Sequence, residues 1–229
     1  VQLLDDPRAE ALSQSARRLL RRPRPRYRGV LHRWASVASV PMGVILVVLA
    51  DGGRARLAMV IFSIGLTAML GVSAIVHSRD WGIEQVEALV RLDHTAIFMM
   101  FATTSTPIAM LVLDDPIATW LLAVAWVGAG IGIIAEWIPV HPPAGVVNGI
   151  YLGFGWSMLA FTPWMVAGLT ATQAALLFGG GAAYTIGAVV VGARWPDPWT
   201  ESFGYHEIWH VLVVVACGLH VAMAASIAW

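Results

Sequence analysis

Seven apolar stretches dominate the chain, near residues 34–50, 57–76, 95–113, 117–138, 145–164, 172–192 and 208–228. Each approaches the ~20 residues an α-helix needs to cross the hydrocarbon of a bilayer. They are too long and continuous for the ~10-residue alternating strands of a membrane barrel. Only 12% of the 229 residues are charged and 58% are hydrophobic, where a soluble domain carries about 25% charged residues. A soluble fold could not cover that surface. The expected architecture is an all-α integral membrane protein, a seven-transmembrane helix bundle built from residues 34–229. Turn residues at 51–53, 114–116, 139–143 and 196–198 mark short connections between the stretches. Pro41 and Pro107 fall inside spans, where neighbouring helices can satisfy the carbonyls they free.

Residues 1–33 form a polar leader with a possible amphipathic helix over 9–20 and a Pro-Arg-Pro break at Pro23 to Pro25. Its first apolar stretch comes late and without a cleavage context, so it is not expected to be a signal peptide. All fourteen basic residues are arginine, and nine lie before Trp34. Arginines flanking a first span are read as topology signals and lipid-headgroup contacts rather than a nucleic-acid arm; no nucleic-acid partner is expected. With the N-terminus cytoplasmic, twelve arginines fall inside and only Arg54 and Arg56 outside. That asymmetry predicts a cytoplasmic N-terminus and an external C-terminus. The single Cys217 excludes an intrachain disulfide framework.

Given that orientation, the position of a polar residue within its span gives its depth. His77, Asp93, His94, Glu136, His141, His206 and His210 then gather near the cytoplasmic side. Ionisable groups at such positions are costly and point to function. His206 and His210 are four residues apart and share one helix face, as do Ser73 and His77. Three imidazoles from two helices are the donor set of a catalytic zinc site that keeps a fourth position open. Such a metal lowers the pKa of bound water towards ~7. His77, His206 and His210 are therefore the candidate ligands of Zn2+. Asp93 is the candidate to hold the water or act as base, and Ser73 to orient the water or an oxyanion.

Competing readings attach to the same residues. His206-Glu207-x-x-His210 matches the zinc-protease pattern with Glu207 as base, but Glu207 drops to a bystander once His77 and Asp93 share the site's depth. His206, His210 and Asp93 could form a two-histidine, one-carboxylate iron site. His220 lies ~15 Å along the helix from His210, too far for the same ion, and is expected to hydrogen-bond within the bundle. His32 and His141 are expected to be hydrogen-bonded interfacial residues.

Six ordered motifs resemble the bacterial haemolysin III family. They are Tyr27-Arg28-Gly29-Val30-Leu31-His32, Ser73-x-x-x-His77, Arg91-Leu92-Asp93-His94, Thr106-Pro107, Arg194-x-Pro196-Asp197-Pro198-Trp199 and Phe203-Gly204-Tyr205-His206-Glu207-x-x-His210. That family is grouped with the progestin and adiponectin receptors and is distantly similar to alkaline ceramidases. The resemblance implies a multi-pass protein of the bacterial inner membrane, with seven helices and zinc held by His77, His206 and His210 beside Ser73 and Asp93. It also implies a membrane lipid as substrate or ligand. Hydrolysis of a lipid amide or ester is the leading expectation. A lipid sensor or homeostatic regulator with structural zinc, and a pore-forming haemolysin, are the alternatives. One departure stands out: where the family carries Gly-Thr-Tyr-Thr-Pro, this chain has Thr103-Thr104-Ser105-Thr106-Pro107. It bears on helix packing or the pocket wall rather than on the metal ligands.

Overall fold

The computed structural model describes residues 5–20, 24–140 and 144–229; His141 lies outside the described residues. Among these residues every named element is helical. After a 3-10 turn at Pro7–Ala11 come α1 (Gln14–Leu19), α2 (Val30–Leu49), α3 (Gly52–Ser78), α4 (Ile83–Leu111) and α5 (Ile117–Trp137). Then follow α6 (Ala144–Ser157), a 3-10 turn at Met158–Phe161, α7 (Thr162–Gly168), α8 (Ala171–Ala193) and α9 (Tyr205–Ala228).

Among the described residues six stretches are long and apolar enough to cross a membrane: α2, α3, α5, Gly149–Gly168 through the second 3-10 turn, α8 and α9. Their outer faces show what such a chain must bury in lipid. Trp34, Val48, Ile64 and Ile134 are each about two-thirds exposed, a surface that water would penalise and hydrocarbon accepts. The stretch expected as a seventh span, 95–113, lies almost wholly within α4, which is not one of the six. Glu84, Glu87, Arg91 and Asp93 occupy its first half, and a Thr-Thr-Ser-Thr run occupies 103–106. This helix is nonetheless the best buried, with every residue from 102 to 109 enclosed. It packs against α3, α5 and α9.

Most of the hydroxyls in that run are returned to the helix's own backbone. Thr103 donates to the Met99 carbonyl, Ser105 to Phe101 and Thr106 to Ala102, which lets polar side chains sit in an apolar interior. Thr103 stands where the family pattern has glycine, yet α3 and α4 still pack closely. The small residue is on the other helix: a Cβ at Gly65 would lie 2.0 Å from Thr103 Oγ1.

The leader docks on the protein. Ala9, Ala16, Leu19 and Leu20 bury against Val76, Ile83, Val86 and Val90 at the junction of α3 and α4. Arg8 bonds Glu84 at 3.0 Å, and the Ser13 N–H bonds Glu87 at 2.9 Å. Arg24 donates to the backbone carbonyls of Leu19 and Arg79. Several leader arginines expected at lipid headgroups thus engage the chain itself.

Candidate metal centre

His77 ends α3, while His206 and His210 form successive turns at the start of α9. Their ring centroids make a nearly equilateral triangle with sides of 4.8, 4.8 and 4.7 Å, and the ring planes lie 60–66° apart. One ligand-type nitrogen from each lies within 4.8 Å of the others, the one such grouping among the described residues. Rings inclined in this way can present their in-plane lone pairs to a common centre. Small ring rotations would bring the three nitrogens onto one ion, since metal–imidazole bonds run ~2.0–2.1 Å for zinc.

Two features favour a cation there. His77 Nδ1 and His206 Nε2 are buried without a hydrogen-bond partner among the described residues, a deficit of about 1–3 kcal/mol each that ligation would remove. In addition, His77 Nε2 lies 3.3 Å from Asp93 Oδ2. A carboxylate on the far nitrogen of an imidazole fixes its tautomer and raises its basicity, the usual outer partner of a ligating histidine. That contact leaves Nδ1 as the available nitrogen and occupies Asp93 through Oδ2. Ser73, one turn before His77 on α3, is buried and lines the same cavity.

Glu207 is held elsewhere. Its Oε1 accepts from Arg28 Nε at 2.5 Å and its Oε2 from the Gly204 N–H at 2.9 Å. It therefore neutralises a half-buried arginine and caps α9. Nothing orients it towards the triangle as a protease base.

The cluster opens on a cavity of about 760 Å³, well within the ~300–1,000 Å³ of ligand sites. Ser73, His77, Asp93 and His206 line its polar part, and Phe101, Leu159, Leu177 and Phe178 contribute to an apolar wall. It reaches His220, ~21 Å along α9 from His206. His220 lies 3.2 Å from the Leu177 carbonyl through Nε2, in keeping with its expected role inside the bundle. Ser105, in place of the family's tyrosine, also lines the cavity, so the smaller side chain leaves room in the wall.

A second polar group forms beside the first. His94 Nδ1 lies 2.8 Å from Glu136 Oε1, and the Tyr151 hydroxyl donates to Glu136 Oε2 at 3.3 Å. Nearby, Arg91 donates to the Glu136 and Ile138 carbonyls at 2.6 and 2.9 Å, capping the C-terminus of α5. Depth alone groups His94 with Glu136. Tyr151 carries no signal in the sequence.

His32 requires a correction. It is not a hydrogen-bonded interfacial residue: it is 2% exposed, and neither ring nitrogen has a hydrogen-bond partner among the described residues. Its ring stacks on His210 with centroids 4.0 Å apart and planes 12° apart. Gly29, three residues earlier, places it there. With φ 74° in the left-handed region, Gly29 packs on the backbone of His77, where a Cβ would lie 2.8 Å from the carbonyl carbon.

Fold and site together define a multi-pass helical membrane protein with a three-histidine cluster, two members of which, His77 and His206, line a cavity. The Haemolysin-III related family matches residues 20–221, and the chain belongs to that family. It is similar to Hemolysin-3 of Bacillus cereus, with 28% identity over 189 residues covering 81% of this chain and 83% of the relative. It is likewise similar to the Hemolysin-3 homolog of Bacillus subtilis (strain 168), with 27% identity over 188 residues covering 81% and 85%.

Proposed function

We propose that this protein is a zinc-dependent hydrolase of a lipid amide or ester in the bacterial inner membrane. It spans the bilayer seven times, with the leader 1–33 and the histidine cluster on the cytoplasmic side. The orientation rests on the twelve-to-two arginine asymmetry. Support for α4 as a seventh span is its 29 residues, ~43 Å at 1.5 Å per residue, and its packing between the candidate spans α3 and α5. Its polar groups are also paired within the protein: Arg91 with Glu87, Asp93 with His77 and His94 with Glu136.

The observation that carries the hydrolase reading is the histidine triangle opening on a cavity that has Asp93 and Ser73 at its polar part. A divalent ion held by His77, His206 and His210 would polarise a carbonyl and acidify water. Asp93, through the oxygen not facing His77, takes the proton of an attacking water. Water's oxygen adds to the acyl carbon, and the Ser73 hydroxyl donates to the developing oxyanion. The C–N or C–O bond then breaks, and the proton on Asp93 passes to the leaving amine or alcohol. The apolar wall holds the acyl chain and excludes bulk water.

The test is metal analysis of purified protein with a lipid amide and ester panel read by mass spectrometry. Zinc near one per chain and turnover are expected, with Asp93→Asn retaining zinc and losing about 10²–10⁴-fold in rate. A zinc-loaded protein that cleaves nothing in the panel removes the hydrolase reading. A structural ion tying α3 to α9 in a lipid sensor or homeostatic regulator then remains, and Asp93→Asn would leave that function intact. The names of the Bacillus relatives favour a second reading, membrane permeabilisation. It requires dye leakage from liposomes that survives chelation of the metal.

A further inference from the structure

His32 is the buried polar side chain that this chemistry leaves unused. A neutral imidazole carries one donor and one acceptor, and buried polar groups in folded proteins are paired with protein, water or ligand. Among the described residues neither nitrogen of His32 has a hydrogen-bond partner, although the ring lines the cavity. Its position is set by backbone contact, because Gly29 seats the start of α2 against the His77 carbonyl. A missing partner at a fixed position points to something the chain does not itself supply.

The stack decides what that partner is. An ion binds imidazole in the plane of the ring at ~2.0–2.1 Å. Rings 4.0 Å apart and only 12° from parallel occupy separate planes, so an ion in the plane of the His210 ring lies out of the plane of His32 and cannot be its ligand. The triangle itself, with one ligand nitrogen of each residue within 4.8 Å of the others, does converge. His32 therefore sits beside the ion's position rather than on it, next to the place of a non-protein group completing the coordination. We propose that His32 is a hydrogen-bond donor to that group, and that the group it selects is an oxygen anion of the carboxylate type. The proposal rests on the metal reading of the triangle and on no assumption about turnover.

The experiment uses the full chain in detergent micelles, stripped of metal and loaded with Co2+, with the visible absorption of the ion as readout. Acetate is the probe, titrated into wild type, His32→Phe and His32→Gln. Phenylalanine keeps a flat ring on His210 and removes the donor; glutamine restores an N–H. Equal cobalt stoichiometry is expected in all three. Acetate affinity should fall at least tenfold in His32→Phe and recover in part in His32→Gln. His32→Leu replaces the phenylalanine variant should that one not fold.

Unchanged acetate affinity in the donor-less variant overturns the proposal, as does a wild-type spectrum that ignores acetate while cobalt is bound. Loss of cobalt from His32→Phe also overturns it, because His32 would then be a ligand or a prop for His210. Failure of the wild type to take up cobalt is a different result and refutes the metal reading itself.

Discussion

Replacing Gly65 by alanine tests how α3 and α4, the helices that carry His77 and Asp93, approach one another. The new Cβ would lie 2.0 Å from Thr103 Oγ1, 2.6 Å from its Cβ and 2.7 Å from its Cγ2. Rotation about χ1 moves Oγ1 and Cγ2 but leaves the threonine Cβ where it is, so the helices must separate. Overpacking of this kind costs about 1–3 kcal/mol. Thr103→Gly removes all three clashing atoms, whereas Thr103→Ala leaves the one that rotation cannot move. Thr103→Gly alone carries its own cost of ~1 kcal/mol for glycine in a helix interior. The cycle should therefore show about 1–2 kcal/mol of favourable coupling for Gly65→Ala with Thr103→Gly, and much less with Thr103→Ala. SDS titration of the six proteins (wild type, three single and two double variants) in micelles, followed by far-UV circular dichroism, supplies the free energies. A neutral Gly65→Ala, or rescue by alanine as complete as by glycine, would refute the close contact.

Glu207→Gln should retain the cap on Gly204 but leave Arg28 without its counter-charge, costing about 3 kcal/mol in the same titration; metal content should not change, and its loss would reinstate Glu207 near the ion. Gly29→Ala and Gly52→Ala both place alanine at positive φ, 74° and 80°, yet only Gly29 meets other atoms, and Gly52 faces open space. The shared backbone cost is ~1–2 kcal/mol, so Gly29→Ala should be the more destabilising by a further ~1–3 kcal/mol of overpacking, and equal midpoints would count against the contact with His77. Arg91→Lys should cost about 1–3 kcal/mol, because one ammonium cannot serve the Glu136 and Ile138 carbonyls and the Glu87 carboxylate together. Arg91→Met should cost more, measured by thermal unfolding in micelles.

These perturbations fall where the sequence is least readable. Depth in a membrane is a single coordinate, and a residue's offset within an apolar stretch reports it. His77 and His206 are 129 residues apart, yet both sit at span ends, and the structure brings their rings to 4.8 Å. The rotation of each helix about its own axis has no such signal. Glu207 matches a protease motif until Arg28, 179 positions upstream, is seen to bind it. His32 reads as one more interfacial histidine because nothing in its own helix says which way it faces. Thr103 reads as lost packing because its compensating partner, Gly65, lies 38 residues earlier on another helix.

The determinants in the last two cases are glycines at close contacts between helices. Gly29 presses the start of α2 onto the end of α3, and Gly65 lets α4 close on the middle of α3. Both set rotation and spacing, which an apolar pattern leaves free because lipid accepts an apolar face in any direction. Polar residues in this chain therefore announce the depth of the site, and its small residues determine which of those polar groups can meet. On that basis His32 joins the cluster through Gly29, and a substitution at residue 29 should disturb the site more than the distance of that residue from any ligand in the sequence would suggest.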